Sequence, residues 1–162
     1  MKILQIIGRK KSGKTTTTID FIRAARELGL NVAAFKQTHH PSVTMDIPGT
    51  DSFRFAEAGA AQVGMQNAEG FFWHETRKPL PLAEEIKVFV SKDTDLVLVE
   101  GFKTANFPAL LLMRPDDEQT DFLECSFDFA GTIYSEWIQE SGLIDLTTEE
   151  KRKDWLKTWL TN

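Results

Sequence analysis

The chain has 162 residues, 41% of them hydrophobic and 27% charged, and a formal net charge of −5, which is the length and composition of one ordinary globular domain. The acidic balance argues against non-specific nucleic-acid binding as the main role, because that needs a basic face. No run approaches the roughly 20 apolar residues of a spanning helix, no signal-like apolar segment opens the chain, and the single cysteine, Cys125, has no partner for an internal disulfide; a cytoplasmic protein with no membrane or nucleic-acid partner is expected.

Ile3-Leu4-Gln5-Ile6-Ile7 is a short β-branched run and reads as a buried strand. Gly8-Arg-Lys-Lys-Ser-Gly13-Lys14-Thr15 follows it and fits the phosphate-binding pattern G-x-x-x-x-G-K-[ST]. Thr16 to Leu28 then reads as a helix, with Ile19, Phe21, Ile22, Ala25 and Leu28 at helical spacing. Glycines let the backbone fold over an anion, its amides turn inward, and the helix start adds unpaired N–H groups and a positive dipole end. The residues expected around the phosphates are Gly8, Lys10, Lys11, Ser12, Gly13, Lys14, Thr15 and Thr16. Lys14 reaches the β/γ-phosphates in this reading, and the Thr15 hydroxyl takes a Mg²⁺ position. Arg9, Lys10, Lys11 and Lys14 form a local basic patch in an acidic chain.

Gly29 stands where a left-handed helix cap is expected. Asn31 to Lys36 reads as a second buried strand, completing a parallel βαβ unit. Lys36 is then on the site edge and placed to meet a phosphate. The polar stretch Gln37–Thr50 is too long for a routine connection, so function or mobility is expected of it. Within it, Thr38 offers a hydroxyl. His39 and His40 are adjacent and point to opposite sides of an extended backbone, which suits one metal ion poorly. Either they are polar loop residues or His39 serves in proton transfer or hydrogen bonding. Asp46, Asp51 and Arg54 are charges suited to positioning Mg²⁺, water or a second substrate.

Asp51 or Ser52 is expected to cap a short helix that ends near Gly59. Ala61–Gln66 and Phe71–Glu75 read as short strands paired through Asn67–Gly70, with His74 an ordinary strand residue. Pro81–Lys92 reads as an amphipathic helix. Asp95-Leu-Val-Leu-Val-Glu100 is the clearest buried strand; it delivers Glu100 to the carboxyl edge of the sheet as the Mg²⁺ acid, and Gly101 lets the chain turn close to the phosphates. Ala109–Met113 is another strand, Glu118–Tyr134 mixes helix and strand, and Thr147–Leu160 closes as a helix. Trp137, Trp155 and Trp159, with Phe127 and Phe129, suit either a core or an interface. The expectation is one α/β domain over 1–162: a P-loop NTPase-type, mainly parallel sheet flanked by helices, with a short hairpin insertion. The Asn-Lys-x-Asp element that reads guanine is absent, which leaves ATP and GTP open on residues alone.

The motifs in order are Gly8–Thr15, Phe35-Lys-Gln-Thr-His-His40, Pro48-Gly-Thr-Asp-Ser52 with Arg54 and Glu57-Ala-Gly-Ala60, and Leu96-Val-Leu-Val-Glu-Gly-Phe-Lys103. This series resembles the molybdopterin-guanine dinucleotide biosynthesis protein B (MobB) family over about residues 1 to 115. The resemblance implies a homodimeric, Mg²⁺-dependent, GTP-binding protein with slow GTPase activity, assisting the MobA-like guanylyltransferase that joins GMP to molybdopterin. It carries phosphate binding onto Gly13, Lys14 and Thr15, and metal-linked roles onto Glu100 and Asp46. The chain departs from the family pattern at Gln37, where a His is usual, at Pro41–Met45, where acids are common, and at Thr50, where a Lys is frequent. Lys14, Thr38, His39 and Asp51 are the candidates for a catalytic part. A small-molecule kinase on the same scaffold, or a nucleotide-gated adaptor that needs no hydrolysis, are the alternatives.

Overall fold

The computed structural model describes residues 1–38, 46–138 and 142–162. In chain order the elements are β1 (Lys2–Gly8), α1 (Lys14–Glu27), β2 (Val32–Lys36), α2 (Asp51–Glu57), β3 (Gln62–Gln66), β4 (Phe71–Glu75), α3 (Leu82–Phe89), β5 (Leu96–Glu100), β6 (Ala109–Leu112), a 3₁₀ turn (Gln119–Phe122), β7 (Phe129–Thr132), β8 (Ile144–Asp145) and α4 (Glu149–Thr161). They form two compact units, Met1–Gln37 with Leu82–Asn162, and Thr38–Pro81.

The first unit holds a six-stranded sheet in the order β2-β5-β1-β6-β7-β8, with every pairing parallel. This is the expected α/β architecture, and its central strands are the apolar runs. Both faces of a parallel sheet are covered, so β5 is buried at all five positions, as its unbroken Leu-Val-Leu-Val pattern requires. On one face Leu4, Ile6, Leu96, Leu98 and Leu110 pack with Phe21, Ala24 and Ala25 of α1 and Leu156 of α4. Fully burying a side chain such as Phe21 contributes about 3 kcal/mol. Trp155 stacks on Phe21 and meets Phe129 edge-on, each at 5.5 Å between ring centroids, so this part of the aromatic stripe is core. The other face packs Val97 and Val99 with Leu82 and Ile86 of α3, and Ile7 and Leu111 with Phe122. A buried ion pair ties the two helices of the first face: Arg152 Nε donates to Asp20 Oδ2 at 2.7 Å.

Several boundaries differ from expectation for identifiable reasons. Helix α1 begins at Lys14 rather than Thr16, because Gly13 in a left-handed conformation is its N-cap and the motif's Lys and Thr are already helical. Gly29, with φ of 77°, follows the helix as expected. Helix α3 is shorter than Pro81–Lys92. The mixed segment resolves into the 3₁₀ turn and β7, and β8, only two residues long, carries no periodicity to detect.

In the second unit α2 is capped by Thr50, whose hydroxyl accepts from Phe53 N, in place of Asp51 or Ser52. Strands β3 and β4 form the expected antiparallel hairpin, closed by Asn67 Oδ1 accepting from Glu69 N and Gly70 N. No described helix is long and apolar enough to cross a membrane.

Candidate functional site

The loop between β1 and α1 owes its shape to two glycines. Gly8 has φ of 146°, and a Cβ there would sit 2.5 Å from both Leu112 O and Ser12 Oγ. Gly13 has φ of 89°, and a Cβ there would run into the Ile133 side chain. Ser12 N donates to Arg9 O at 3.3 Å and Thr17 N to Gly13 O at 2.9 Å. Between them, the amides of Lys14, Thr15 and Thr16 have no acceptor among the described residues, as expected at a helix start. The Ser12 hydroxyl is wholly buried and likewise without a partner among them. Unsatisfied donors gathered in a glycine cradle at a helix N-terminus suit an anion.

Four cations, Lys14, Lys36, Lys103 and Arg114, and one acid, Glu100, surround this cradle. Lys14 Nζ donates to Arg9 O at 2.6 Å. Burial holds the Lys14 ammonium below the ordinary lysine range; Glu100 opposes this, and Lys36, Lys103 and Arg114 reinforce it. The parallel register sets Lys36 beside Glu100 and Ile6 beside Glu100, so the acid lies between β1 and β2 at the carboxyl edge. Thr15 Oγ1 donates to both carboxylate oxygens of Glu100 at 3.0 Å. Lys36 Nζ donates to Glu100 Oε1, and to Thr15 Oγ1 at 3.3 Å. Glu100 is only 7% exposed, so a buried carboxylate is met by one ammonium and one hydroxyl.

The turn after β5 is fixed from inside the sheet. Gln5 Nε2 donates to Gly101 O at 2.8 Å and to Phe102 O at 2.7 Å, while Phe102 N donates to Gln37 Oε1 at 2.9 Å. The lone polar side chain within the Ile3–Ile7 run was the signal for this role. The phosphate loop itself is braced by residues that sequence reasoning did not single out. Asp117, a buried carboxylate, accepts from Arg114 N and Nη2 at 2.9 Å each and from Arg9 Nη1 at 3.2 Å. Arg9 also pairs with Asp121 at 3.2 Å. Arg114 Nη1 reaches Lys10 O at 3.4 Å, and the Tyr134 hydroxyl donates to Lys11 O at 2.8 Å. An Arg-x-x-Asp pair directly after β6, at the same carboxyl edge, was the available clue.

The structure thus brings together Gly8, Lys10, Lys11, Ser12, Gly13, Lys14, Thr15, Thr16, Lys36, Glu100 and Gly101. The Lys10 and Lys11 side chains are exposed, with no ion pair among the described residues. Thr38, Asp46 and Asp51 belong to the second unit, and His39 lies outside the described residues. Asp46 Oδ1 accepts from Ile47 N at 2.8 Å and from Thr50 Oγ1 and Ser52 Oγ at 3.1 Å. Desolvation acts to raise its carboxyl, but these bonds, Ser52's foremost, hold it below the ordinary value. Asp51 is exposed and pairs with Arg54 at 3.4 Å. Among the described residues no three His, Cys, Asp or Glu side chains cluster closely enough to hold a metal by themselves. One carboxylate and one hydroxyl instead fit Mg²⁺, which commonly relies on one or two protein ligands plus substrate phosphates.

A model of the family described as molybdopterin guanine dinucleotide synthesis protein B, MobB, matches residues 3–133. The molybdopterin-guanine dinucleotide biosynthesis adapter protein of Haemophilus influenzae is 34% identical over 161 residues, covering 98% of this chain and 89% of that protein. The Escherichia coli protein of the same name is 34% identical over 107 residues, 64% of this chain and 60% of that one. Among solved structures, Bacillus subtilis MobB superposes with a TM-score of 0.77 at 25% identity over 97% of both chains. A MobB homolog from Bacillus stearothermophilus shares the fold, with a TM-score of 0.71 at 20% identity over 99% of both chains. By the match over residues 3–133 and the likeness along nearly its whole length to the Haemophilus protein, this chain belongs to the MobB family.

Proposed function

We propose that the chain binds GTP with Mg²⁺ on the Gly8–Thr15 loop, hydrolyses it slowly, and acts as an adapter in molybdopterin guanine dinucleotide biosynthesis. The observation that carries this reading is the convergence of Thr15, Lys36 and Glu100 beside the unpartnered amides of Lys14 to Thr16. Lys14 leaves its contact with Arg9 O to neutralise the β- and γ-phosphates, and the loop amides hold their oxygens. Thr15 and Glu100 hold Mg²⁺, which when bound neutralises developing charge on the triphosphate. Thr38, His39, Asp46 and Asp51 remain the candidates for positioning water or metal. The choice of guanine follows the family resemblance rather than any base-reading motif.

The partners proposed are a MobA-like guanylyltransferase and a second copy of this chain. Support for the dimer comes from hairpin β3–β4, since a two-stranded hairpin is marginal alone. Met65 and its cross-strand partner Phe72 share one side, Phe71 and Trp73 the other, and all four are exposed. Calorimetric titration with GTP and ATP, with and without Mg²⁺, together with phosphate release, tests the reading. A Mg²⁺-dependent preference for GTP with slow turnover is expected. Preference for ATP, or turnover only with an added acceptor, replaces it with a kinase. The relatives' name of adapter favours one further reading, in which bound triphosphate alone licenses partner binding. Partner capture undiminished in a variant that binds but does not hydrolyse GTP decides for that one.

A further inference from the structure

We infer that Lys36 is a tethered cation that holds the metal-binding pair and makes divalent-metal binding conditional on the triphosphate. This rests on the nucleotide reading above and extends it to the order of binding. One ammonium lies against both groups that a metal would use: Lys36 Nζ donates to Glu100 Oε1 and to Thr15 Oγ1, and Thr15 Oγ1 donates in turn to both Glu100 oxygens. The arrangement is built by the sheet, because Lys36 and Glu100 are register partners at the ends of β2 and β5. Glu100 is almost fully buried, whereas the Lys36 side chain is 57% exposed. The acid is therefore fixed and the cation is free to depart. A buried carboxylate without a counter-charge is unfavourable, and Lys36 supplies that charge while no metal is present. A divalent cation arriving alone must displace the ammonium against its own like charge and leave it without a partner. A metal arriving with a triphosphate brings several negative charges, which give the released ammonium a new counter-ion. Lys36 thus suppresses idle loading by free metal and is a positioning residue for the metal–nucleotide complex.

Titration of Mn²⁺ without nucleotide, followed by the loss of its free-ion electron paramagnetic resonance signal, tests this on the whole chain. Wild type, Lys36→Met and Lys36→Gln are compared in the same buffer; the Gln variant keeps a hydrogen-bond donor should the Met variant fold poorly. Wild type is expected to bind Mn²⁺ weakly, and the neutral variants at least about tenfold more tightly. Adding Glu100→Gln to either variant should abolish that gain. Neutral variants that bind Mn²⁺ no better than wild type overturn the inference. A parallel arm with Mn²⁺ and GTP keeps the two ideas apart. Wild type that fails to take up GTP with Mn²⁺ sinks the nucleotide reading, while uptake without the variants' gain sinks only the role of Lys36.

Discussion

The Thr15 hydroxyl donates to both carboxylate oxygens of Glu100, 3.0 Å to each, from the first turn of α1 to the end of β5. The pair is thereby pre-set: the hydroxyl's proton points at the acid, one lone pair accepts from Lys36, and the other is left for a metal cation. Thr15→Val keeps the shape and removes that oxygen. GTP affinity measured with Mg²⁺ should fall by about 10- to 100-fold, approaching the value measured with chelator, while chelator affinity stays near wild type. Unchanged Mg²⁺ dependence removes Thr15 from the metal site.

Lys14 sits half-buried against Arg9 O, with its ammonium disfavoured by burial. A folded-state value below the unfolded one means that protonated Lys14 opposes folding at neutral pH, an effect relieved as pH rises through its lowered value. Lys14→Met should therefore leave the thermal midpoint unchanged or raise it, while tight triphosphate binding is lost. Undiminished affinity in calorimetry contradicts the phosphate role, and a large fall in the midpoint contradicts the electrostatic account.

How much of this was legible follows from the range of each interaction. The motif Gly8–Thr15 and the apolar run ending at Glu100 are local patterns, and both lie where the pattern puts them. Lys36 was read as a phosphate ligand, yet its contact with Glu100 comes from the β2–β5 register, a non-local choice that neither segment encodes. The cap of α2 was missed because Thr50, Asp51 and Ser52 are all competent caps in succession. Asp117 was invisible because the middle acid of the run Asp116-Asp117-Glu118 looks solvated until Arg9 and Arg114 are seen to converge on it.

Asp117 holds the loop's shape through those two arginines, one of which belongs to the loop and the other of which reaches its Lys10 carbonyl. Asp117→Ala should lower GTP affinity by roughly tenfold without altering the far-ultraviolet circular dichroism. Arg114→Ala should give a similar loss, and the double variant little more, since both remove one brace. Strictly additive losses would show that the two residues act separately.

Asp20 and Arg152 form the buried link between α1 and α4, with Arg152 Nη1 also donating to Leu146 O at 2.7 Å. Asp20→Ala strands a buried guanidinium and should destabilise the fold by about 3 kcal/mol in urea unfolding. Arg23→Ala, which removes only the exposed partner of Asp20 at 3.3 Å, should change stability by under about 1 kcal/mol. Equal effects would mean that burial does not set the strength of this link.

Acid sensitivity should trace in part to Asp145 at the end of β8, just before α4. The Lys151 ammonium, 2.6 Å from Oδ2, is the main influence, and the Thr147 hydroxyl, 2.7 Å from Oδ1, the next; together they hold the carboxyl at about 2 rather than the ordinary 3.8. Because the unfolded chain takes up the proton at the higher pH, this carboxylate stabilises the fold fully above about pH 4. The contribution is lost as pH falls from there through about 2. Asp145→Asn should therefore be less stable than wild type at neutral pH and show a shallower loss of stability across that window. In a Lys151→Met background the same change should have a smaller effect, because the partner that depresses the carboxyl is gone. Urea unfolding of the four proteins at a series of pH values measures both slopes, and parallel curves for wild type and Asp145→Asn would place the acid-labile group elsewhere.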